Sequence, residues 1–221
     1  MPEEIVVVVA GGEPPHSDAA LAVPLGATVI AADGGLAHAR ALGLEVAVVV
    51  GDFDSASPDS VRSAESAGVR LERHPAAKDA TDLELALDAA LTRSPSRILV
   101  LAGVGDRLDH LLASLLLLGS AKWAGVEVDA EIGVARVHVV RGERELAGSA
   151  GELVSLLALH GPAEGVRTEG LVYELRGDTL APGSSRGVSN VFATDLAQVS
   201  VERGVLLAVR PGPGERGSSW L

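Results

Sequence analysis

The sequence predicts a parallel-sheet, three-layer α/β domain over residues 1–145, followed by a smaller all-β domain, a β-sandwich or barrel, over residues 146–221. Three observations predict it. Nearly continuous runs of Val, Ile, Leu and Ala recur through the first two thirds of the chain, as strands buried on both faces require. Amphipathic stretches with apolar residues three and four apart separate those runs. Beyond about residue 125 the helical period is lost, and short β-rich pieces alternate with Gly, Pro and charged turns.

Taken in order, strands are expected over residues 5–10, 27–32, 45–50, 69–73 and 98–102. Ser57-Pro58 opens a helix with an N-cap and a first-turn proline, and Gly68 closes it. A second helix begins near Thr81, with Leu83, Ala86, Leu87, Ala90 and Leu91 on one face. A third starts near Asp106 and aligns Leu108, Leu111, Leu112, Leu115 and Leu116 in a stripe. The β-rich part offers strands over residues 136–140, 153–157, 170–175, 198–201 and 205–209. Residues 211–219 are rich in Pro, Gly and Ser and read as a mobile tail.

Composition narrows the function classes. With 47% apolar residues but only 2% aromatic, the core rests on aliphatic side chains. The absence of cysteine removes disulfides, Cys-ligated zinc and thiol nucleophiles, and fits a cytoplasmic location. The amino terminus is acidic where a secretory signal is basic, and no apolar run nears the ~20 residues that cross a bilayer, so no membrane partner is expected. The net charge is −12, and residues 1–145 carry 12 Lys and Arg against 22 Asp and Glu. Such a surface repels a polynucleotide, so no nucleic-acid partner is expected. A single nucleotide is compatible, because a divalent cation bridges carboxylates and phosphates.

In an open parallel sheet, ligands bind beyond the carboxyl ends of the strands. Those positions here hold Gly11-Gly12, Asp33-Gly34-Gly35, Gly51-Asp52-Phe53-Asp54-Ser55 and Gly103-Val104-Gly105-Asp106-Arg107-Leu108-Asp109-His110. Asp52 and Asp54, two apart at the end of an extended segment, put both carboxylates on one side, as a hard divalent cation needs; a turn or cap role also accounts for the pair. Lys78-Asp79-Ala80-Thr81-Asp82 opens a helix, where unpaired amides favour anions, although Thr81 and Asp82 also suit a cap and a helix dipole. Lys78 is one of two lysines among 18 basic residues, a compact charge suited to phosphate. Arg107 offers a bidentate fork for phosphate, and His110 either contacts substrate or makes a structural hydrogen bond. No G-x-x-x-x-G-K-[ST] is present, and Gly103-Val104-Gly105 lacks the third glycine of a dinucleotide turn.

The ordered set Asp33-Gly34-Gly35, Gly51-Asp52-Phe53-Asp54-Ser55, Lys78-x-x-Thr81-Asp82 and Gly105-x-Arg107-x-Asp109-His110 resembles thiamine pyrophosphokinase (thiamine diphosphokinase). The likeness extends into Gly170-Leu171-Val172-Tyr173-Glu174-Leu175 and Gly187-Val188-Ser189-Asn190. It implies transfer of pyrophosphate from ATP to the hydroxyl of thiamine, giving thiamine diphosphate and AMP. It also implies a homodimer whose thiamine sites lie where one subunit's α/β domain meets the other's β domain. Carried over by position, Asp52, Asp54 and Asp82 look like Mg2+ ligands, with Asp33, Gly34, Gly35, Lys78, Thr81, Gly103 and Arg107 around the nucleotide. Asp109 is similar to the substrate-pocket carboxylate, beside His110, and Tyr173, Ser189 and Asn190 resemble the β domain's contribution. The chain departs from the family pattern at Asp106, Ser114 and Tyr173, where a glycine, an asparagine and a tryptophan are usual.

Three other readings fit parts of the pattern. A magnesium-dependent phosphohydrolase would use Asp52 as nucleophile, but its Asp-x-Asp usually follows the first strand and precedes Thr or Val where this chain has Ala56. A diphosphokinase acting on another alcohol, such as a hydroxymethylpterin, shares the nucleotide half. A non-catalytic nucleotide or thiamine sensor retains the pocket alone.

Overall fold

The structure is a computed structural model that describes residues 4–53, 58–75, 79–105 and 107–212. Two compact units emerge from its packing: residues 1–117 with 125–133, and residues 118–124 with 134–221. The division at Gly133 precedes the expected boundary at residue 145, which falls within one long strand of the second unit.

In the first unit, β1 (Ile5–Val9), β2 (Thr28–Ala32), β3 (Val46–Gly51), β4 (Arg70–Arg73), β5 (Arg97–Ala102) and β6 (Glu127–Ile132) form a parallel sheet in the order β6-β5-β1-β2-β3-β4. The β-branched runs explain the central strands: Val6 to Val9 are fully buried, as are Ile30, Ala31, Val49 and Val50. Strand β6 was not legible from its acidic sequence. Its Asp129 is nonetheless buried, because Arg97 on the neighbouring strand donates Nε–H to the carboxylate at 2.7 Å.

Among the described residues, four α-helices accompany this sheet: α1 (Gly35–Ala41), α2 (Pro58–Ser66), α3 (Asp82–Leu91) and α4 (Leu108–Leu118), whose last residue belongs to the second unit. Helix α1, seven residues opening on glycine, lies below the length at which apolar period is readable. Helix α3 buries Ala86, Leu87, Ala89 and Ala90 and packs over β1, β2 and β3. The leucine stripe of α4 departs from expectation. Leu118 is buried, whereas Leu108, Leu112 and Leu116 are 65%, 51% and 48% exposed.

The second unit holds β7 (Ala135–Ala147), β8 (Leu153–Glu169), β9 (Arg176–Leu180), β10 (Asn190–Val191) and β11 (Leu196–Arg210), all pairing antiparallel. Strand β8 pairs with β11 along most of its length, with β10 at its start and with β9 toward its end. The strands converge on one core that includes Val140, Leu146, Leu156, Val166, Leu180, Phe192, Val199 and Leu206. Three expectations change. The pieces at 198–201 and 205–209 are one strand broken by a register shift, since a bulge reads in sequence as a gap. Residues 170–175 make only an isolated bridge, Leu171 to Phe192, because Gly170 turns the chain at φ 74°. Strand β9, RGDTL, has too little apolar alternation to be predicted.

Candidate active site

Three consecutive strand ends and one helix start bring the site together. Strand β2 runs directly into Asp33, which leaves it in the left-handed region at φ 44° and is 5% exposed. The Asp33 amide donates to the Val50 carbonyl at 2.8 Å, and its carbonyl accepts from Leu36 at 3.1 Å, so the backbone is held on both sides. Gly35 follows from space: a Cβ there would meet the Val9 carbonyl oxygen at 2.1 Å. Helix α1 starts directly against the end of β1, a packing open only to glycine.

Strand β3 delivers the second carboxylate. Gly51 is its last residue, and a Cβ there would stand 2.9 Å from Asp33 Cβ and 3.2 Å from Asp82 Oδ1. The glycine therefore clears the floor between two acids. Asp52 follows, then Phe53 at φ 64°, buried beneath the Arg73 guanidinium, 4.6 Å from the ring centroid. The extended backbone expected to lead from Asp52 toward Asp54 is thus interrupted at Phe53, and Asp54 itself lies outside the described residues. A bulky residue in the left-handed region is strained, and here packing and cation–π contact hold it. The third carboxylate, Asp82, opens α3, where Thr81 is the N-cap and accepts from the Glu84 amide at 3.2 Å.

Carboxylate oxygens of Asp33, Asp52 and Asp82 lie within 4.8 Å of one another. Among the described residues, buried Asp33 Oδ1 has no hydrogen-bond partner. Three converging carboxylates repel, and an unsatisfied buried oxygen costs about 1–3 kcal/mol, so the arrangement suits a hard cation with oxygen ligands. The expected metal set was Asp52, Asp54 and Asp82, with Asp33 among the nucleotide residues. The structure gathers Asp33 with Asp52 and Asp82, while Asp54, Lys78 and Asp106 lie outside the described residues. The signal for Asp33 was its place immediately after a buried strand, before two glycines; burial itself is not written in a local motif.

At the end of β5, Gly103 lies beneath the chain that leaves β1: a Cβ would meet the carbonyl oxygens of Glu13 and Pro14 at 2.4 and 2.6 Å. Beyond it Arg107 and Asp109 bind each other through two bonds, 2.9 and 2.6 Å, with both side chains exposed. The Arg107 hydrogen bond holds the Asp109 carboxyl well below the usual range, and the same bond raises the guanidinium. This pairing occupies the fork expected to clamp phosphate and leaves Asp109 a weak proton acceptor. His110 is exposed on the first turn of α4.

In the second unit Tyr173 presents an exposed ring. Its backbone is fixed by Asn190, which accepts from the Tyr173 amide at 3.0 Å and donates to its carbonyl at 2.8 Å. Asn190 is 3% exposed, so its side chain acts as a strut for the tyrosine rather than as a group facing solvent. Ser189, at φ 59°, is exposed, and its amide donates to Ser155 Oγ at 3.0 Å.

These features define an α/β protein with an acidic site at the carboxyl edge of its parallel sheet, continued by an antiparallel β unit. Residues 26–128 match the family model for the thiamin pyrophosphokinase catalytic domain, and residues 136–206 match that for the thiamin pyrophosphokinase vitamin B1 binding domain. The chain belongs to the thiamin pyrophosphokinase family. A thiamine pyrophosphokinase of Bacillus subtilis is 29% identical over 166 residues, 72% of this chain and 76% of the relative. The crystal structure of thiamine pyrophosphokinase from Bacillus subtilis superposes with a TM-score of 0.82 at 24% identity, over 95% of this chain and 99% of the other. Thiamin pyrophosphokinase from Candida albicans shares the fold at TM-score 0.75 and 16% identity, over 94% and 89% of the two chains. Among the described residues no helix is long and apolar enough to cross a membrane.

Proposed function

We propose that the chain transfers pyrophosphate from ATP to the hydroxyl of thiamine, yielding thiamine diphosphate and AMP, as a cytoplasmic homodimer. The observation that carries this reading is the convergence of Asp33, Asp52 and Asp82 at the sheet edge, within the region that matches the family's catalytic model.

Such a transfer breaks the bond between the α-phosphate's bridging oxygen and the β-phosphorus, while the alcohol oxygen attacks that phosphorus in line. It demands alignment and charge neutralisation more than covalent help from the protein. Asp33, Asp52 and Asp82, with Asp54, would hold Mg2+, which when bound neutralises phosphate charge. Gly51 leaves room for that set, and Thr81 fixes Asp82 by capping its helix. Lys78 and Arg107 supply positive charge to the phosphates, and Arg107 must leave Asp109 to do so. Asp109 suits the cationic ring of thiamine by charge, and Tyr173, exposed in the second unit, offers an aromatic face of the kind that binds a cationic heterocycle. A carboxylate such as Asp82 or Asp109 takes the proton that the alcohol loses as its oxygen bonds to phosphorus.

The decisive measurement is AMP release from ATP with thiamine as acceptor, run beside a hydroxymethylpterin and a no-acceptor control. Thiamine-dependent AMP release is expected. Release with the pterin alone would move the activity to another acceptor, and binding without release would make the chain a sensor. Asp54→Asn should abolish turnover while the fold persists; near-normal activity would remove Asp54 from the metal set.

A further inference from the structure

The second unit contains a recess of about 330 Å³ lined by Gly119, Ser120, Arg141, His160, Gly204 and Val205, with Ala121 and Ala124 completing its wall. Three neighbouring strands all depart from regular pairing around it. Strand β11 loses register with β7 between Val201 and Leu206, and with β8 between Arg203 and Val205. Left-handed residues sit at the same level: Gly142 on β7 at φ 82°, Gly204 on β11 at φ 98° and His160 on β8 at φ 58°. Glycine adopts that region freely, but at His160 it is an outlier of the kind that collects at binding sites. Bulges re-aim side chains, and here they open a gap with Arg141 and His160 at its edge.

Arg141 is half-buried, and among the described residues it hydrogen-bonds through Nη2 alone, donating to the carbonyls of Gly119 at 2.7 Å and Ser120 at 2.6 Å. Those two bonds leave Nε–H and the two Nη1–H groups of the guanidinium uncommitted. Burial pulls the Arg141 guanidinium down from its ordinary value, and no carboxylate among the described residues pairs with it. A partly desolvated cation with spare donors, beside the Ser120 hydroxyl, the His160 ring and the apolar side chains of Ala121, Ala124 and Val205, calls for an anion with several acceptor oxygens.

We propose that this recess binds a phosphate group, free or carried on a small organic molecule, on Arg141 with His160 and Ser120 at its rim. The site uses residues of the second unit alone and does not depend on the proposed reaction. The test follows the His160 imidazole resonances of the full-length protein by NMR, without Mg2+ and at constant ionic strength, during titration with inorganic phosphate, AMP or acetate. Inorganic phosphate should shift them saturably, with the apparent Kd at least tenfold weaker in Arg141→Gln and in Ala121→Leu. Ala121 is exposed and lines the recess, so its leucine variant blocks the site while sparing the Arg141 bonds should Arg141→Gln misfold. An equal response to AMP extends the site to phosphate esters, whereas a response to inorganic phosphate alone restricts it to the free ion. The proposal is overturned if phosphate produces no saturable shift, if acetate matches phosphate, or if Ala121→Leu responds as the wild type does.

Discussion

Asp33 concentrates the cost and use of the site in one side chain. Its buried oxygen lacks a partner among the described residues and stands beside two further carboxylates, so without a cation the cluster is destabilised by an unsatisfied acceptor and by like charge. Asp33→Asn replaces repulsion with an amide donor. The variant should melt higher than wild type without Mg2+, by about 1–2 kcal/mol of stability, yet lose Mg2+-dependent stabilisation and at least 100-fold in turnover. Thermal melts with and without Mg2+ check both signs at once. The exposed Arg107–Asp109 pair gives a second prediction. The folded Asp109 carboxyl lies below the ordinary 3.8, so the pair's contribution is present at neutral pH and lost only as pH falls through the depressed value. Asp109 should therefore titrate below the ordinary carboxylate range and move up toward it in Arg107→Gln, as carboxyl carbon NMR would show.

At the scale of elements, strand ends and caps set the geometry. Thr81 ties the start of α3, and with it Asp82, to one orientation through the Glu84 amide. Thr81→Ala should cost about 1 kcal/mol of stability, by denaturant midpoint, and weaken Mg2+ binding more than that loss predicts. The Ser derivative should restore both. Sequence made the central strands and α3 legible because burial on both faces and a 3.6-residue period leave a direct trace. It also singled out Asp33, Asp52 and Asp82, whose carboxylates converge in the structure, although it set Asp33 among the nucleotide residues and Asp54, outside the described residues, among the metal ligands. Hidden from it were elements whose cause is tertiary: β6, whose acid is neutralised across a strand pair, α1, which is held by a glycine contact, and β9, which borrows its ladder from β8. Asp33 was expected near the nucleotide, since its carboxylate reaches the cluster only through a left-handed turn and the space above Gly51. Asn190 likewise read as a substrate contact, because a backbone strut and a ligand carry the same sequence signature.

For the whole molecule, the exposed leucines of α4 bear on assembly. Leu108, Leu112 and Leu116 recur every four residues, forming an apolar stripe along one side of the helix. The proposed homodimer gives that surface a partner. Leu112→Glu should shift the chain toward monomer in sedimentation equilibrium while its far-UV circular dichroism is retained; an unchanged dimer would place the interface elsewhere. The division between units adds a constraint, since residues 118–124 belong to the second unit but 125–133 return to the first.

The central position of β1 carries one more consequence, for synthesis. Its register pairs Ile5 with Arg97 and Val6 with Ile98, so β1 acquires one of its two neighbours only after some ninety further residues have been translated. Loop closure over that span is entropically slow, and pairing of this kind delays folding. Until β5 emerges from the ribosome, the uniformly apolar edge of β1, Ile5–Val9, is open to any strand that meets it. The nascent chain is thus most exposed to misassembly between the synthesis of β2 and that of β5.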